Sequence, residues 1–456
     1  MHKTQTLFEY DHLCADPGLE GIVPIDESTF EALELFLASL ATGAENTAEE
    51  MHDVFRLSSR RGRKTLAAQN YVGVISAADT DIEVLPKIGR PHRDSEKDIE
   101  RVRSVFLAML FELRDTQFKN LGRTGLATAK MPVLEVFISA FLDEVREILR
   151  RGIRSDYRDW AGNERFLKGK LNFSEHVRLN HTDRSRFAVE YSVYHVDRPE
   201  NRLIKSTLDY LGRQSHDTTN KRRIKIALDH LGEVGKSADT RSDFAACKND
   251  RNTAHYANAL RWCRIFLAGE APTSFPGIVT ADALLFPMER IFEDYVAARL
   301  RKACHPHGIA VRAQDRGRYL FDSPKQYRLR PDIVVTDPAG RRLILDTKWK
   351  IPKDGKPGQG DMYQMIAYAA RYGIDDVILV YPATGDGPCG ERETYRTSIS
   401  SHLGISDRAV CVHTYFYRLP EDISTGATPD DGAEELAGYL GTLLADRQKQ
   451  RQLYQS

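Results

Sequence analysis

The chain has 456 residues and carries 65 Lys plus Arg against 65 Asp plus Glu, so its net charge is zero; it is 41% hydrophobic and 29% charged. At roughly 100–200 residues per domain it is too long for one core, and it is too apolar for general disorder. No run reaches the roughly 18 uncharged apolar residues of a membrane helix, Met1 to Asp11 lacks a leader pattern, and the six cysteines form no C-x-x-C pair, which points to reduced thiols in a cytoplasmic protein.

From the N-terminus, residues 1–92 read as a β-rich module. Ser28 is placed to cap a helix over Thr29–Ala41, with Phe30, Leu33, Phe36, Leu37 and Leu40 on one face. Leu66–Ser76 and Ile82–Ile88 alternate as strands around a turn at 77–81. Residues 93–276 read as a mostly helical middle region, with helices at Ile99–Leu113, Pro132–Arg151, Arg198–Leu211, Lys221–Leu231 and Ala254–Leu267 and one strand at Phe187–Val196. Arg146 to Lys225 holds 19 Lys/Arg against 11 Asp/Glu, a basic surface available to phosphates, although composition alone favours a solvated mixed-charge face. Ala271-Pro-Thr-Ser-Phe-Pro-Gly277 is the clearest punctuation in the chain and marks a boundary.

Residues 277–422 have a different rhythm. The pattern predicts a helix over Ala281–Cys304, strands at Ile309–Val311, Arg330–Thr336 and Arg342–Trp349, a helix over Gln359–Tyr372, and strands at Asp376–Tyr381 and Arg408–Tyr417. That order describes an α/β domain with a mixed sheet. A Gly/Pro/Asp-rich linker at 422–432 leads to a final helix, and 423–456 is set apart as linker and C-terminal helix. The fold class expected is therefore α/β multidomain.

The chemistry concentrates in Arg330-Pro331-Asp332 and Asp346-Thr347-Lys348. Asp337-Pro338-Ala339-Gly340 separates two β-branched, apolar runs, a hairpin signature. If Asp337 to Arg341 is the loop and Thr336 pairs with Arg342, the register brings Asp332 opposite Asp346, with Cβ atoms roughly 5 Å apart. Lys348 then shares the face of Asp346. Facing carboxylates repel unless a cation lies between them, and hard oxygen ligands with water suit Mg²⁺. Such a site can activate water and stabilise charge in phosphodiester cleavage, with the Lys orienting the nucleophile. The plainer alternative is an exposed hairpin with an ordinary Asp–Lys ion pair.

The flanking helices add candidates. Glu289 and Glu293 lie four apart on one helical face, and either can supply a third acidic ligand; Glu293 is carried forward, with Glu289 left open. Gln364 and Tyr368, also four apart, can bond a phosphate or hold the lysine.

The pattern Asp332, Asp346-x-Lys348, Gln364-x-x-x-Tyr368 resembles the PD-(D/E)xK nuclease superfamily, in its branch with a Q-x-x-x-Y helix. Ile82-Glu-Val-Leu-Pro-Lys-Ile88, Leu167-Lys-Gly-Lys-Leu171, Asp197-Arg-Pro-Glu-Asn-Arg-Leu-Ile-Lys205 and Met288-Glu-Arg-Ile-Phe-Glu293 resemble, in order, the McrC family of McrBC 5-methylcytosine-dependent restriction systems. The resemblance implies that 277–422 is a restriction-endonuclease-like PD-(D/E)xK domain. It implies a Mg²⁺-dependent endonuclease, with the catalytic carry-over going to Asp332, Asp346 and Lys348; on the residue reading above, Gln364 and Tyr368 join them in the catalytic site and Glu293 joins Asp332 and Asp346 as a metal ligand. It also implies a McrB-like AAA+ GTPase partner that recognises modified cytosine in double-stranded DNA, docking through the N-terminal part, and stimulation of GTP hydrolysis. Self-association within the assembled complex is left open, and no residue is assigned to GTPase stimulation.

No nucleotide motor is expected in this chain. Gly232-Glu-Val-Gly235-Lys236-Ser237 has two residues between its glycines where a phosphate loop needs four, and Gly385-Asp-Gly387-Pro-Cys-Gly390 contains Pro with no clear helix after it. Cys304-His305-Pro-His307 reads as a helix C-terminus with histidines near the negative dipole end. Two other functions remain open: a nuclease of the same superfamily with an ATPase motor, and a non-cleaving adaptor of a AAA+ partner.

Overall fold

The computed structural model describes residues 3–16, 21–41, 54–88, 95–112, 131–247, 253–268, 278–280, 283–315, 317–352, 355–383, 389–399, 408–420 and 432–455. The chain forms two compact units: Met1–Val133 together with Thr273–Ser456, and Leu134–Pro272 inserted between them. The sequence boundaries at 92/93, 276/277 and 422/423, the punctuation at 271–277 and the linker at 422–431 lie outside the described residues. Among the described residues no helix is long and apolar enough to cross a membrane.

The first unit begins with β1 (Lys3–Phe8), β2 (His12–Cys14), β3 (Val23–Pro24), α1 (Glu27–Ala41), β4 (Phe55–Arg60), β5 (Arg63–Ala68), β6 (Tyr71–Ala77), β7 (Thr80–Leu85) and α2 (Glu96–Phe111). Asp26, not Ser28, starts α1: its carboxylate accepts bonds from the Thr29 amide and hydroxyl. Strands β3-β2-β5-β4 form one sheet, and β1-β7-β6 begin a second. The single strand expected over Leu66–Ser76 is broken at Gln69-Asn70, because Gln69 Nε2 turns back onto the carbonyls of Ala67 and Ala68. Leu7, Leu13, Phe30, Leu66, Ile75 and Ile82 share the core under α1. Glu83 on β7 is held by Arg103 of α2 at 2.8 and 2.7 Å, a buried charge fully paired.

The second unit follows α3 (Val133–Arg151) with β8 (Asp156–Glu164), β9 (Lys170–Leu171), α4 (Phe173–Asn180), β10 (Phe187–His195), α5 (Pro199–Gln214), α6 (Thr218–His230), α7 (Thr240–Ala246) and α8 (Ala257–Cys263). Helices dominate as expected, but β8 pairs with β10 from Glu164↔Phe187 to Asp156↔His195 in a sheet of order β8-β10-β9. The sequence hides β8 because Asp156-Tyr-Arg-Asp-Trp-Ala-Gly-Asn-Glu164 buries little; Tyr157 and Trp160 are exposed. Glu135 ties α3 to the α5–α6 turn by accepting bonds from Ser215, the amides of His216 and Asp217, and Asn220. The basic excess is partly paired: Arg150 and Arg151 with Glu147, Arg178 with Glu175, Arg202 with Asp243. Gly232 to Ser237 closes α6, with the Gly235 amide on Asp197 Oδ1 and Lys236 paired with Asp209.

The chain then re-enters the first unit at β11 (Ile278–Thr280) and β12 (Ala283–Pro287), which extend the N-terminal sheet to β1-β7-β6-β12-β11. This corrects the helix expected from Ala281: Ala283-Leu-Leu-Phe is apolar enough for either element, and pairing with β6 takes it. Pro287, lacking an N–H, ends the strand and opens α9 (Met288–Cys304). Gly73 makes this pairing possible: at φ +138 any Cβ would lie 2.0 Å from the Leu284 carbonyl oxygen.

After α9 come β13 (Ala310–Ala313), β14 (Arg318–Asp322), β15 (Lys325–Leu329), β16 (Ile333–Thr336), β17 (Arg342–Thr347), α10 (Gln359–Tyr372), β18 (Asp376–Ala383), β19 (Gly390–Ile399), β20 (Arg408–Arg418) and α11 (Ala433–Gln455). The sheet order is β13-β16-β17-β18-β20-β19, with β17, β18 and β20 parallel and the outer pairs antiparallel. Val334, Ile344, Leu379 and Val412 pack against Met365, Tyr368 and Ala369 of α10. The opposite face carries Tyr417, whose ring meets Phe292 and Tyr295 of α9, and His413, which meets Tyr439 of α11. Cys304 to His307 ends α9 in a single tight turn closed by Gly308 at φ +66, as expected.

Candidate active site

The site lies at the end of the β16–β17 hairpin, and its geometry follows from register. Thr336 pairs with Arg342 and Ile333 with Leu345, the pairing the turn sequence predicts, so Asp332 and Asp346 come together where the hairpin ends. Asp332 Oδ2 accepts the Thr347 amide at 2.6 Å and its hydroxyl at 2.8 Å, which fixes this carboxylate across the strand. Asp346 is 1% exposed.

Lys348 Nζ lies 2.7 Å from Asp346 Oδ2 and donates to Gln364 Oε1 at 3.0 Å. Gln364 Nε2 donates to the Tyr368 hydroxyl at 2.8 Å, and that hydroxyl donates to the Arg330 carbonyl at 3.1 Å. The helical i, i+4 spacing thus becomes a relay from the backbone beside Asp332, through α10, to the ammonium group. All five residues singled out on the hairpin and α10 meet here.

Glu293 approaches from α9. Its carboxylate takes Gln314 Nε2 at 3.0 Å and Arg290 at 2.9 Å. Glu289, one turn earlier, is exposed, and its charge bears on Glu9. Of the two glutamates, Glu293 is therefore the one that faces Asp332.

The electrostatics show an excess of buried negative charge. Burial, and then the Asp332 charge, push Asp346 up to about 7 and Glu293 up to about 8. Asp332 is raised as well, by burial against the opposing pull of the Thr347 bonds and Lys348. Asp294 is raised mainly by burial. Lys348 is raised too: burial pulls it down, but Asp346, Asp332 and Asp361 together outweigh that pull. Asp346 Oδ2 has the Lys348 ion pair but no donor in hydrogen-bond geometry. Glu293, Asp332 and Asp346, the last with an oxygen lacking a hydrogen bond, offer oxygen donors alone, the kind Mg²⁺ takes, but their ligand atoms do not all lie within 4.8 Å of one another, so holding one ion would require the three to draw closer.

Sequence reasoning missed four neighbours. Arg290 pairs with both Glu293 and Asp294 at helical spacing, a signal present in Arg290-Ile-Phe-Glu293-Asp294. Asp361 lies one turn before Gln364 and holds Lys350 at 2.7 Å. Gln314 gave no signal: it reaches the site because its amide bonds the Asp332 carbonyl at 2.7 Å as β13 ends.

A family model described as "McrBC 5-methylcytosine restriction system component" matches residues 66–382. A search of curated proteins gives no match. Among solved structures, the chain is similar to a chain of the refined half-complex from the tetradecameric assembly of Thermococcus gammatolerans McrB AAA+ hexamers with bound McrC, at 17% identity and TM-score 0.71, covering 96% of this chain and 100% of that one. A chain of the cryo-EM structure of the Thermococcus gammatolerans McrBC complex is similar at 18% identity and TM-score 0.50, covering 70% of this chain and 90% of that one. At these identities the likeness concerns the fold.

Proposed function

Because the chain belongs to the McrBC 5-methylcytosine restriction system component family, we propose that it is the nuclease subunit of such a system. In this reading it cleaves double-stranded DNA with Mg²⁺ and works with a McrB-like AAA+ GTPase, as McrC in the similar structures is bound to McrB hexamers. Recognition of modified cytosine then belongs to the partner, whose GTP hydrolysis this chain stimulates.

The observation that carries the proposal is the convergence of Asp332, Asp346 and Glu293 with Lys348 held by Gln364 and Tyr368. The three carboxylates would hold Mg²⁺, which when bound supplies charge stabilisation at the scissile phosphate and acidifies water. Thr347 fixes the Asp332 carboxylate, so its orientation is set before any ligand arrives. Gln364 holds the Lys348 ammonium beside Asp346, where it can orient a water nucleophile and balance charge developing on the phosphate. An adaptor that does not cut has no use for a buried Asp346 set beside Asp332 with a lysine held against it.

The test uses the full chain with its AAA+ partner, GTP, Mg²⁺ and DNA carrying modified cytosine. Asp346→Ala is expected to lower cleavage by roughly 100-fold or more while leaving stimulated GTP turnover intact and the melting temperature without Mg²⁺ unchanged or higher. Cleavage equal to the wild type would remove the nuclease assignment, whereas unstimulated GTP turnover by the wild type would remove the partner assignment.

A further inference from the structure

A second cluster of ligand-type side chains lies in the same sheet and takes no part in the site above. Asp376 opens β18 and pairs directly with Cys411 on β20, with His413 two residues along the same strand. Asp346 pairs with Leu379, and Asp376 is three positions before Leu379, so alternation places Asp376, Cys411 and His413 on the opposite face from Asp346. Ligand atoms of the three residues all lie within 4.8 Å of one another, and each residue is buried. His413 Nε2 is 3.1 Å from Asp376 Oδ1.

We propose that Asp376, Cys411 and His413 bind a Zn²⁺ ion that fastens β18 and β20 beneath α11. The ligand chemistry selects the ion. A thiolate and an imidazole beside a single carboxylate suit zinc and are foreign to Mg²⁺, which asks for oxygens throughout. Zinc bonds of about 2.0–2.3 Å to O, N and S place tetrahedral ligand atoms roughly 3.3–3.7 Å apart. The Asp376–His413 separation is already near that span, and the Cys411 thiol, within 4.8 Å of both, would close the remaining distance.

The outer contacts are those a zinc-bound histidine needs. With Nε2 facing the ion, Nδ1 carries the proton, and Glu391 Oε1 on β19 lies 3.1 Å from it. The Tyr439 hydroxyl of α11 and the Thr394 hydroxyl of β19 lie 3.0 Å from the same nitrogen. A carboxylate on the far nitrogen sets the tautomer and strengthens the ligand. Asp376 also lines a cavity of about 260 Å³ between the β16–β17 turn and α11, the side from which a water, the fourth ligand, would come. On binding, Cys411 loses its thiol proton to solvent, and no redox step is involved.

The experiment is metal analysis of the full-length protein, expressed with zinc and then passed over a chelating resin. One zinc per chain is expected, retained in Asp346→Ala and lost in Cys411→Ser and in His413→Gln. Wild-type protein free of zinc after reconstitution, or zinc undiminished in Cys411→Ser, overturns the proposal. A second measurement needs no variant to fold: Co²⁺ loaded into the wild type in place of zinc should give a thiolate-to-cobalt charge-transfer band. Absence of that band also overturns it, leaving His413 as an imidazolium between Asp376 and Glu391. The readout is independent of DNA cleavage, so its failure leaves the nuclease reading untouched.

Discussion

Lys348 and the carboxylates around it make opposite demands, and substitutions should separate them. Lysine has no acceptor to offer a cation, so Lys348→Ala should lower cleavage by roughly 100-fold or more while Mg²⁺ or Mn²⁺ still binds by calorimetry; loss of binding as well would make Lys348 a scaffold of the site. The carboxylates predict a pH dependence. Asp346 and Glu293 are raised to about 7 and about 8 from ordinary values of 3.8 and 4.5. Between those limits the folded state holds protons that the unfolded state has released, so stability present below pH 4 is lost as pH rises towards 8. In the absence of divalent cation the melting temperature should therefore fall from about pH 4 to about pH 8, Asp346→Asn should flatten part of the slope, and Mg²⁺ should stabilise more at pH 8 than at pH 6. A melting temperature that climbs across this window would contradict the buried-carboxylate picture. Asp332, Asp346 and Lys348 were legible in the sequence because a short turn fixes their register. Gln314 was not, because its place depends on a backbone bond across two strands distant in sequence.

At the scale of elements, the strand that carries Asp346 is anchored from outside its own sheet. Trp349, directly after Lys348, donates Nε1 to Glu9 Oε2 at 2.9 Å, and the Lys87 amide donates to the same oxygen at 2.9 Å. Glu9 lies just past β1, so the N-terminal sheet grips the end of β17. Burial pushes Glu9 up to about 7, and the Trp349 bond works against that push. Trp349→Phe removes one donor: we expect a loss of about 1–3 kcal/mol, larger at pH 8 than at pH 6 because the carboxylate, left with the Lys87 amide, then ionises with less support. Equal loss at both pH values in thermal melts would show that only packing against Phe292 was removed. Elements whose signals are local were readable: α10 has the bounds its periodicity gives, Gln359–Tyr372. Elements defined by pairing were not: β8 is too polar to stand out, and β12 looks helical until β6 is placed beside it.

For the whole molecule, the division of the chain changes what a fragment can do. A cut near Gly269, which the punctuation at 271–277 invites, separates β6 from β12 and leaves the N-terminal sheet without two of its five strands. Residues 134–272 are the compact unit made from one contiguous stretch of chain. Expressed alone they should give a helical circular dichroism spectrum and a cooperative melt, whereas residues 1–269 should melt broadly or aggregate; a cooperative melt from 1–269 would show that β12 is dispensable. Fold class was readable because element order carries it; the return of the chain to its first sheet was not, since no local pattern records it.

The pairing of β6 with β12 also has a consequence in time. Translation is vectorial, and about 210 residues separate Ala77 from Pro287. At about 5–20 residues per second the ribosome needs roughly 10–40 s to deliver the second strand after the first. Throughout that interval β6 waits as an open sheet edge, glycine notch exposed, while the inserted unit has emerged whole and is free to fold. The last-made strand of the first sheet thus arrives only after the inserted unit is complete, and the nascent chain is most vulnerable to strand-capture by other polypeptides, and most in need of a chaperone, during the making of a unit that is itself self-sufficient.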